Sequence, residues 1–252
     1  MTDIRFDFSG RTAIVTGAAS GLGREIALEL GASGALVIVS DLHDDACRAV
    51  VDEIASAGGE ARAFAADVTD EDAMREIAAF AERDCGGLHM AVNNAGIGGP
   101  SMPTGDYPSQ DWRRVIDINL NGVFYGMRWQ IPAMLRTGGG SIVNMSSIAG
   151  TNGGAPGHAV YGATKAALLA LTCAMARDLA PEIRVNALAP GIIDTDIQKT
   201  VFADRDALRA AASGIPLGRV GSPDEVAEAA EWLLFAAPYV TGETIRVGGG
   251  RK

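Results

Sequence analysis

Two side chains one helical turn apart, Tyr161 and Lys165, have the types and spacing of an acid–base pair. The apolar pattern of Val160–Leu179 predicts a helix, and a spacing of four places both side chains on one face of it. A free phenol has a pKa near ~10, which makes it a poor base at neutral pH. A neighbouring ammonium group favours the phenolate and lowers that pKa. The pair therefore indicates a site of proton transfer, with a structural pair on a helix surface as the alternative.

A glycine-rich turn near the N-terminus has the features of a phosphate-binding loop. The predicted strand Thr12–Thr16 leads directly into the segment Thr16–Gly23, and a helix follows. Gly17 permits the tight turn, Gly21 lets the backbone approach a pyrophosphate, and Gly23 allows close packing of helix and strand. The first N–H groups of that helix are available to phosphate oxygens. Because the segment has no Gly-Lys-Ser/Thr sequence, a loop for nucleoside triphosphates is not indicated.

An acidic residue ends the second predicted strand. Asp41 lies 18 residues after Gly23, close to the spacing of a carboxylate that binds the adenosine ribose. A carboxylate there accepts hydrogen bonds from both ribose hydroxyls and repels a 2′-phosphate. Neither arginine nor lysine occurs in the next four residues, Leu42–Asp45. The pattern favours NAD over NADP, with a helix N-cap as the alternative role of Asp41.

The elements that position these residues alternate between short apolar runs and longer helical patterns. Continuous apolar strands indicate a sheet covered on both faces. The fold class is therefore predicted as α/β, a single doubly wound Rossmann domain over residues 1–252, with a seven-stranded parallel sheet and helices on both faces. The predicted strands are Thr12–Thr16, Ala35–Ser40, Ala61–Ala65, Met90–Asn93, Ser141–Met145, Arg184–Ala189 and Thr244–Val247. The predicted helices are Gly21–Ser33, Asp44–Ala57, Glu71–Asp84, Trp112–Arg136, Val160–Leu179 and Pro223–Ala236.

One segment, Asp194–Gly214, interrupts this alternation because it is long, polar and helix-prone. It follows the sixth predicted strand, at the carboxyl edge where such sheets bind ligands. We interpret it as a substrate-binding lid inserted in the domain. An ordinary pair of surface helices is the alternative.

The composition narrows the range of partners and compartments. The 252 residues carry a formal net charge of −10, which argues against nucleic acid or an anionic membrane as partner. The three cysteines and three histidines are widely spaced, so neither a disulfide framework nor a metal site is expected. The N-terminal segment lacks the pattern of a signal peptide, and no window approaches the ~20 apolar residues of a membrane helix. We expect a cytoplasmic protein with a small-molecule substrate.

Seven short pieces of sequence occur in one order along nearly the whole chain. They are Thr16–Gly23, Asp67–Val68, Asn93–Gly96, Asn119, Ser147, the pair Tyr161 and Lys165, and Pro190–Thr195. With this order and these spacings the chain resembles the classical short-chain dehydrogenase/reductase family. The resemblance implies hydride transfer between a nicotinamide cofactor and a secondary alcohol, polyol or cyclic alcohol and its ketone, without a metal.

The resemblance also implies roles for four catalytic residues. Tyr161 would exchange a proton with the substrate oxygen, and Ser147 would hydrogen-bond that same oxygen. Lys165 would lower the pKa of Tyr161 and bind the nicotinamide ribose. Asn119 would hold a water molecule that links Lys165 to solvent. Ser146 is the alternative to Ser147, for which a local capping role is also open.

A further set of residues is implied to bind NAD. Asp67 and Val68 would lie near the adenine, and Asn94–Gly96 along the adenosine ribose. The Ile193 backbone and Thr195 would bind the carboxamide. The cofactor-binding set is Gly17, Ser20, Gly21, Leu22, Gly23, Asp41, Leu42, Asp67, Val68, Asn94, Ala95, Gly96, Tyr161, Lys165, Pro190, Ile193 and Thr195.

Two other functions stay open from the sequence, a 3-oxoacyl-(acyl-carrier-protein) reductase and, less favoured, a non-catalytic dinucleotide-sensing regulator. The first would use NADPH, which Asp41 disfavours. The second is disfavoured because all four catalytic residues are present.

The resemblance also implies an oligomeric state. The helices Trp112–Arg136 and Val160–Leu179 resemble helices that form a dimer interface in this family. The last strand resembles a strand that completes a tetramer, so a homotetramer is expected.

The sequence departs from the family pattern near the substrate. The Ser147–Tyr161 interval is 14 residues, one more than expected, and contains the segment Gly153–His158. His158 is expected to be exposed to solvent, with a substrate-facing position as the alternative. The candidate substrate pocket is mostly small or apolar and comprises Ile97–Met102, Thr151–Ala155, Ile192 and Thr200–Phe202.

Overall fold

The computed structural model describes residues 6–195, 202 and 204–251, without the side chains of Arg205 and Arg209. A parallel sheet in the order β3-β2-β1-β4-β5-β6-β7 forms its centre. The strands are β1 Thr12–Thr16, β2 Leu36–Asp41, β3 Glu60–Ala65, β4 Met90–Asn93, β5 Gly140–Met145, β6 Ile183–Pro190 and β7 Thr244–Val247. The helices are α1 Gly21–Ala32, α2 Asp44–Ser56, α3 Glu71–Asp84, α4 Ser109–Ile116, α5 Gly122–Arg136, α6 Ala149–Asn152, α7 Ala159–Leu179, α8 Arg205–Ala210 and α9 Pro223–Glu231. The predicted α/β fold is confirmed.

Strand β1 shows why the three central residues of a strand in this sheet are all apolar. Ala13 and Val15 pack into a buried cluster with α1 and α9 on one face of the sheet. Ile14 points to the other face, where it packs among residues of α3, α5 and α7. Because alternate side chains of a strand point to opposite faces, the centre of a strand covered on both sides is apolar. The buried threonines at its two ends are hydrogen-bonded: Thr12 Oγ1 donates to the Cys85 carbonyl oxygen, and Thr16 Oγ1 accepts from the Asn94 N–H.

The strand order creates a crevice at one edge of the sheet. Strand β1 pairs with β2 on one side and with β4 on the other. The connections after β1 and β4 therefore leave the sheet in opposite directions at its carboxyl edge. Ligands of doubly wound sheets bind at such a switch point. The glycine-rich turn after β1 and the Asn94–Gly96 segment after β4 both lie there.

The predicted helix Trp112–Arg136 is not one continuous helix. Helix α4 begins earlier, at Ser109, and a π-helical turn at Asp117–Asn121 separates it from α5. A second π-helical turn, Trp232–Ala236, ends the predicted helix Pro223–Ala236. A π-helical turn is short and lies between residues with helical dihedral angles, so a pattern that predicts a helix does not reveal it. Helix α6 and the 3₁₀ turn Thr104–Asp106 were also not predicted, because elements of three or four residues are too short to show a helical period in the sequence.

Helix α7 is long and apolar enough to cross a membrane, with a mean hydropathy of 1.4 over 18 residues. The prediction that no window of the sequence approaches a membrane helix is therefore wrong. Helix α7 is the one such helix among the described parts of the chain. Leu168 and Ala176 on this helix are buried against the sheet. Core packing therefore accounts for the buried 39% of this apolar window.

Part of the predicted lid, residues 196–201 and 203, lies outside the described residues. The part that follows contains α8 and a 3₁₀ turn, Ala211–Gly214. Leu208 of α8 packs with Ile192 and Ile215 in a small apolar cluster. The lid segment is thus anchored beside the loop after β6, and its function as a lid stays a prediction.

Candidate active site

A cavity of about 990 Å³ opens at the carboxyl edge of the sheet. It extends along the ends of β2, β1, β4, β5 and β6, from Asp41 to Tyr161 and Lys165. Two predicted site residues, Gly23 and Asn119, do not line it. All others do: Gly17, Ser20, Gly21, Leu22, Asp41, Leu42, Asp67, Val68, Asn94, Ala95, Gly96, Ser147, Tyr161, Lys165, Pro190, Ile193 and Thr195. The structure therefore brings nearly the whole predicted set together around one cavity.

The glycine-rich turn fits a pyrophosphate. Gly17 and Gly21 have φ angles of 64° and 54°, a left-handed conformation that favours glycine. A Cβ on Gly17 would lie 2.8 Å from the Ala95 Cα atom. The Ser20 side chain makes no capping hydrogen bond at the start of α1. The N–H groups of the first turn of α1 thus keep their capacity for a phosphate at the cavity wall.

Gly23 and Asn94 support this turn from behind. A Cβ on Gly23 would overlap the Gly17 carbonyl oxygen and the Asn94 side chain. The Asn94 Nδ2 atom donates hydrogen bonds to the carbonyl oxygens of Thr16 and Gly17, at 3.0 and 3.1 Å. Gly23 is therefore a packing residue, as its predicted role required, while the Asn94 side chain fixes the shape of the turn.

The Asp41 carboxylate is held at the rim of the cavity by two backbone donors. Its Oδ2 atom accepts from the Ala19 N–H at 3.0 Å, and Oδ1 accepts from the Leu42 N–H at 2.8 Å. The N-cap residue of α2 is His43, so Asp41 does not cap that helix. Each carboxylate oxygen has more than one lone pair, which leaves acceptor capacity for two hydroxyl groups of a ligand.

Asp67 and Val68 line the cavity beyond Asp41. The Asp67 Oδ1 atom accepts hydrogen bonds from the backbone and hydroxyl of Thr69, at 2.9 and 2.8 Å. Val68 packs so closely over Gly122 that a Cβ there would lie 2.8 Å from Val68 Cγ2. The side chain of Asp67 thus shapes the turn after β3, and the apolar Val68 is fixed beside it.

The loop after β6 lies close to the glycine-rich turn after β1. A Cβ on Gly21 would lie 3.8 Å from Thr195 Cβ. The Thr195 hydroxyl donates to the Ile193 carbonyl oxygen at 3.4 Å, and Ile193 forms an isolated β-bridge with Gly221. Pro190 is the last residue of β6 and also lines the cavity. The loop after β6 therefore closes the cavity opposite the glycine-rich turn.

Ser147, Tyr161 and Lys165 form the other end of the cavity. Lys165 is only 4% exposed, its Nζ atom donates to the Met145 carbonyl oxygen at 2.7 Å, and Nζ lies 5.7 Å from the centroid of the Tyr161 ring. Burial raises the pKa of Tyr161, and a hydrogen bond between its side chain and Ser147 acts in the opposite direction. Burial lowers the pKa of Lys165 to about 8.

The two adjacent serines have different partners. The Ser146 hydroxyl is buried and donates to the Lys165 carbonyl oxygen at 2.7 Å. Ser147 Oγ accepts from the Ala149 N–H at 3.1 Å and also hydrogen-bonds Tyr161. Ser146 therefore anchors α7 to β5, whereas Ser147 combines a local capping bond with a position beside the phenol. This arrangement favours Ser147 as the serine that meets a substrate oxygen.

Asn119 lies in the π-helical turn behind Lys165 and is fully buried. Its Oδ1 atom accepts from the Ile97 N–H at 2.8 Å, and its Nδ2 donates to the Ile97 carbonyl oxygen at 2.9 Å and to Thr164 Oγ1 at 3.2 Å. A Cβ on Gly96 would lie 3.2 Å from Asn119 Oδ1 and 3.3 Å from Lys165 Nζ. The wide turn thus places the amide of Asn119 near the ammonium group.

Comparison with known proteins decides what this arrangement is. The family model described as enoyl-(acyl carrier protein) reductase matches residues 17–252. Cyclohexanol dehydrogenase from Acinetobacter sp. (strain SE19) is 41% identical over 244 residues, which cover 96% of this chain and 95% of that protein. The chain belongs to the classical short-chain dehydrogenase/reductase family. The resemblance inferred from the ordered motifs is confirmed.

Two further similarities define the chemistry of this short-chain dehydrogenase/reductase. A solved structure of 7α-hydroxysteroid dehydrogenase complexed with NADH and 7-oxo glycochenodeoxycholic acid has a TM-score of 0.90 and 39% identity, covering 97% of this chain and 95% of that chain. A 3-oxoacyl-(acyl-carrier-protein) reductase from Thermotoga maritima is 37% identical over 246 residues, 96% of this chain and 97% of that protein. The enzyme is an oxidoreductase that interconverts secondary alcohols and ketones with a nicotinamide dinucleotide.

Several residues that line the cavity of this short-chain dehydrogenase/reductase were not predicted from its sequence. Gln110, Arg113 and Arg114 reach it from α4, Ile118 from the π-helical turn, and Arg251 from the C-terminal segment. Charged residues on a predicted amphipathic helix normally form its solvent face. Their position at the cavity follows from how α4 packs beside α7, for which the sequence carries no local signal.

The prediction that His158 is exposed is wrong. His158 is 5% exposed and lines the cavity of this short-chain dehydrogenase/reductase. The 101–102 segment covers the loop that precedes it, since the Met102 N–H donates to the Gly157 carbonyl oxygen at 3.1 Å. A polar residue in a glycine-rich segment normally indicates a surface loop. Here a second loop packs over the first and buries the ring.

Proposed function

We propose that this enzyme is an NAD-dependent dehydrogenase in which Tyr161 is the acid and base for a secondary alcohol or its ketone. The observation that carries the proposal is the phenol of Tyr161, which hydrogen-bonds Ser147 and lies beside the buried Lys165 at one end of the cavity. No other described residue of the cavity combines these contacts.

The reaction needs one proton and one hydride to move. When bound, the nicotinamide ring accepts the hydride in alcohol oxidation and supplies it in ketone reduction. Tyr161 takes the hydroxyl proton during oxidation and returns it during reduction. Ser147 hydrogen-bonds the same substrate oxygen, and the ammonium group of Lys165 stabilises the phenolate. Asn119 would hold a water molecule that links Lys165 to solvent; its side-chain amide is bonded to Ile97 and Thr164.

The rest of the cavity would hold the cofactor. The glycine-rich turn would take the pyrophosphate, and Asp41 both hydroxyls of the adenosine ribose. Val68 would contact the adenine. Lys165 would bind the nicotinamide ribose, and the loop of Ile193 and Thr195 would bind the carboxamide. This assignment uses the donors and acceptors that face the cavity between Asp41 and Tyr161.

NAD is favoured over NADP by the position of the Asp41 carboxylate. Two backbone N–H groups hold it at the rim, so it cannot turn away from a 2′-phosphate without losing both hydrogen bonds. This argument also disfavours an acyl-carrier-protein reductase that requires NADPH. Arg113 and Arg114 of α4 also line the cavity, and the following experiment measures the cofactor preference directly.

We expect Asp41→Ser to reduce the preference for NAD. The wild-type kcat/KM should be at least about 100-fold higher with NAD than with NADP, because like charges about 4 Å apart at a protein surface repel by ~4 kcal/mol. The variant loses this repulsion and the charged acceptor for the ribose, so the ratio should fall roughly tenfold or more. Steady-state kinetics with both cofactors measures it, and Asp45→Ser on exposed α2 is the control. Equal wild-type kcat/KM values for NAD and NADP would refute the assignment.

The substrate end of the cavity is lined by small or apolar side chains, among them Ile97, Ala155, Ile192 and Phe202. Such a surface fits a compact secondary alcohol, a polyol or a cyclic alcohol. A screen of these compounds at alkaline pH, followed by reduction of NAD, tests the proposed activity. We expect turnover of at least one cyclic secondary alcohol; a panel without turnover, with cofactor bound, would support a sensing protein instead.

We further propose a cytoplasmic homotetramer. Large apolar side chains are exposed on the α4–α5 surface, where Trp112 is 37% and Phe124 46% accessible, and Tyr239 before β7 is fully exposed. Exposed apolar patches of this kind commonly become buried between subunits. The net charge of −10 and the sparse cysteines are typical of a reduced cytosolic protein.

A further inference from the structure

The ring of His158 occupies a particular place beside the reacting group. His158 is the N-cap residue of α7, three residues before Tyr161. His158 immediately precedes the first helical residue, Ala159, so it lies at the same end of α7 as Tyr161. The ring lines the same cavity as Tyr161 and Ser147. One small molecule can therefore contact both His158 and the phenol.

The hydrogen bonds of His158 define which of its nitrogens is free. Its Nδ1 atom lies 3.3 Å from the Pro156 carbonyl oxygen, and a carbonyl oxygen only accepts. Nδ1 therefore carries the hydrogen, so that Nε2 of the neutral ring presents a lone pair. The Nε2 atom is buried and has no hydrogen-bond partner in the described part of the structure. A buried acceptor without a partner is unfavourable unless a ligand or water satisfies it.

The backbone around His158 also has hydrogen bonds of its own, besides the one between the ring and Pro156. Its N–H donates to the Ala155 carbonyl oxygen at 3.2 Å, and its own carbonyl oxygen accepts from the Gly162 N–H at 3.0 Å. The adjacent Gly157 carbonyl oxygen accepts from the Met102 N–H. These bonds keep the loop and the start of α7 in place for most side chains at position 158. An imidazole with an unused acceptor at the cavity therefore points to a ligand.

We infer that His158 Nε2 accepts a hydrogen bond from a second hydroxyl group of the substrate. The inference rests on the proposed function and narrows its substrate class to diols and hydroxy ketones. A lone pair pairs with a hydroxyl hydrogen, whereas a second carbonyl or a carboxylate offers none. Tyr161 and Ser147 bind the reacting oxygen, so His158 is left for the other group. A buried site that hydrogen-bonds a substrate hydroxyl discriminates against the analogue without it.

Matched substrates test the inference with the complete enzyme. Cyclohexanol is compared with cis- and trans-1,2-cyclohexanediol, and the ratio of kcat/KM for the better diol to kcat/KM for cyclohexanol is measured. For the wild type this ratio should be at least about tenfold. In His158→Phe, which keeps a flat ring without an acceptor, it should fall to about one. His158→Gln, which retains an acceptor, should keep an intermediate ratio. His43→Phe, an exposed N-cap residue of α2, is the control and should leave the ratio unchanged.

Several outcomes overturn the inference. A wild-type ratio near one does so, whatever the variants show, and so does a high ratio that His158→Phe leaves intact. If either result occurs while Tyr161→Phe still abolishes turnover of every substrate, the proposed function stands and only the role of His158 is wrong. If His158→Phe does not fold, as judged by circular dichroism, the comparison between wild type and His158→Gln decides the question in the same way.

Discussion

Replacing Tyr161 with phenylalanine is expected to lower kcat/KM for alcohol oxidation by roughly 10³-fold or more. The change removes only the hydroxyl group, and general acid–base catalysis by a positioned side chain commonly contributes 10² to 10⁴. Ser147 cannot replace the phenol, because a serine hydroxyl without an adjacent base is far less acidic. Steady-state kinetics with the best alcohol from the screen measures the loss, and fluorescence titration with NADH measures cofactor binding. Binding should change little.

The control for this experiment is Tyr239→Phe, since Tyr239 is fully exposed and far along the chain from the site. It should keep the wild-type rate. Full activity in Tyr161→Phe would contradict the mechanism and reassign the proton to another group. A loss of cofactor binding in parallel with activity would instead show that Tyr161 chiefly orders the cavity.

Much of the fold and site could be predicted because the motifs stand at strand ends. The carboxyl ends of parallel strands meet at one edge, so residues distant in sequence, such as Gly17, Asp41 and Ser147, had to converge there. Each apolar run also marks a strand covered on both faces. Local pattern and global topology agree here, which is why element positions and the cavity wall were found together.

What the sequence did not predict depends on packing between elements. The loop that contains His158 is hydrogen-bonded to the 101–102 segment, which is distant in sequence. Arg113 and Arg114 line the cavity because α4 packs beside α7. Neither contact is encoded in a local pattern. The π-helical turn that carries Asn119 is invisible to periodicity for a different reason, because it is short and lies between residues with helical dihedral angles.

The electrostatics of the acid–base pair also differ from the prediction in an instructive way. The sequence indicated that Lys165 lowers the pKa of Tyr161. Among the protein's own groups, burial is the largest influence and raises the pKa of Tyr161, while burial lowers the pKa of Lys165 to about 8. Desolvation penalises both charged forms. In the proposed mechanism, the ammonium group of Lys165 and, when bound, the positive ring of the oxidised cofactor would oppose this desolvation and favour the phenolate.

A second large effect is expected from Lys165→Met. Two unit charges separated by a distance like the 5.7 Å between Nζ and the Tyr161 ring attract by on the order of 2 to 3 kcal/mol at a moderate effective dielectric. The variant should lower kcat/KM for alcohol oxidation by about 10²-fold, and the rising limb of its pH profile should move upward by at least about one unit. The direction follows because loss of a cation disfavours the phenolate. An unshifted limb would exclude Lys165 from the activation of Tyr161.

The same variant is expected to be more stable than the wild type at neutral pH. The pKa of Lys165 falls from 10.5 to about 8 in the folded protein, so between these values the unfolded chain binds more protons than the native state. The buried charge of Lys165 therefore lowers the free energy of unfolding by its full amount below pH 8. This cost disappears as the pH rises from 8 to 10.5. A pKa shift of that size corresponds to a gain of about 3 kcal/mol in the free energy of unfolding when the charge is removed. The lost hydrogen bond to the Met145 carbonyl oxygen offsets ~1 kcal/mol of this gain.

Urea denaturation at pH 7 and pH 10.5 tests this expectation. The free energy of unfolding should be higher for Lys165→Met than for the wild type at pH 7, and the difference should shrink at pH 10.5. A variant less active and less stable at both pH values would make Lys165 a structural residue, whereas lower activity with higher stability is the signature of a buried charge kept for chemistry.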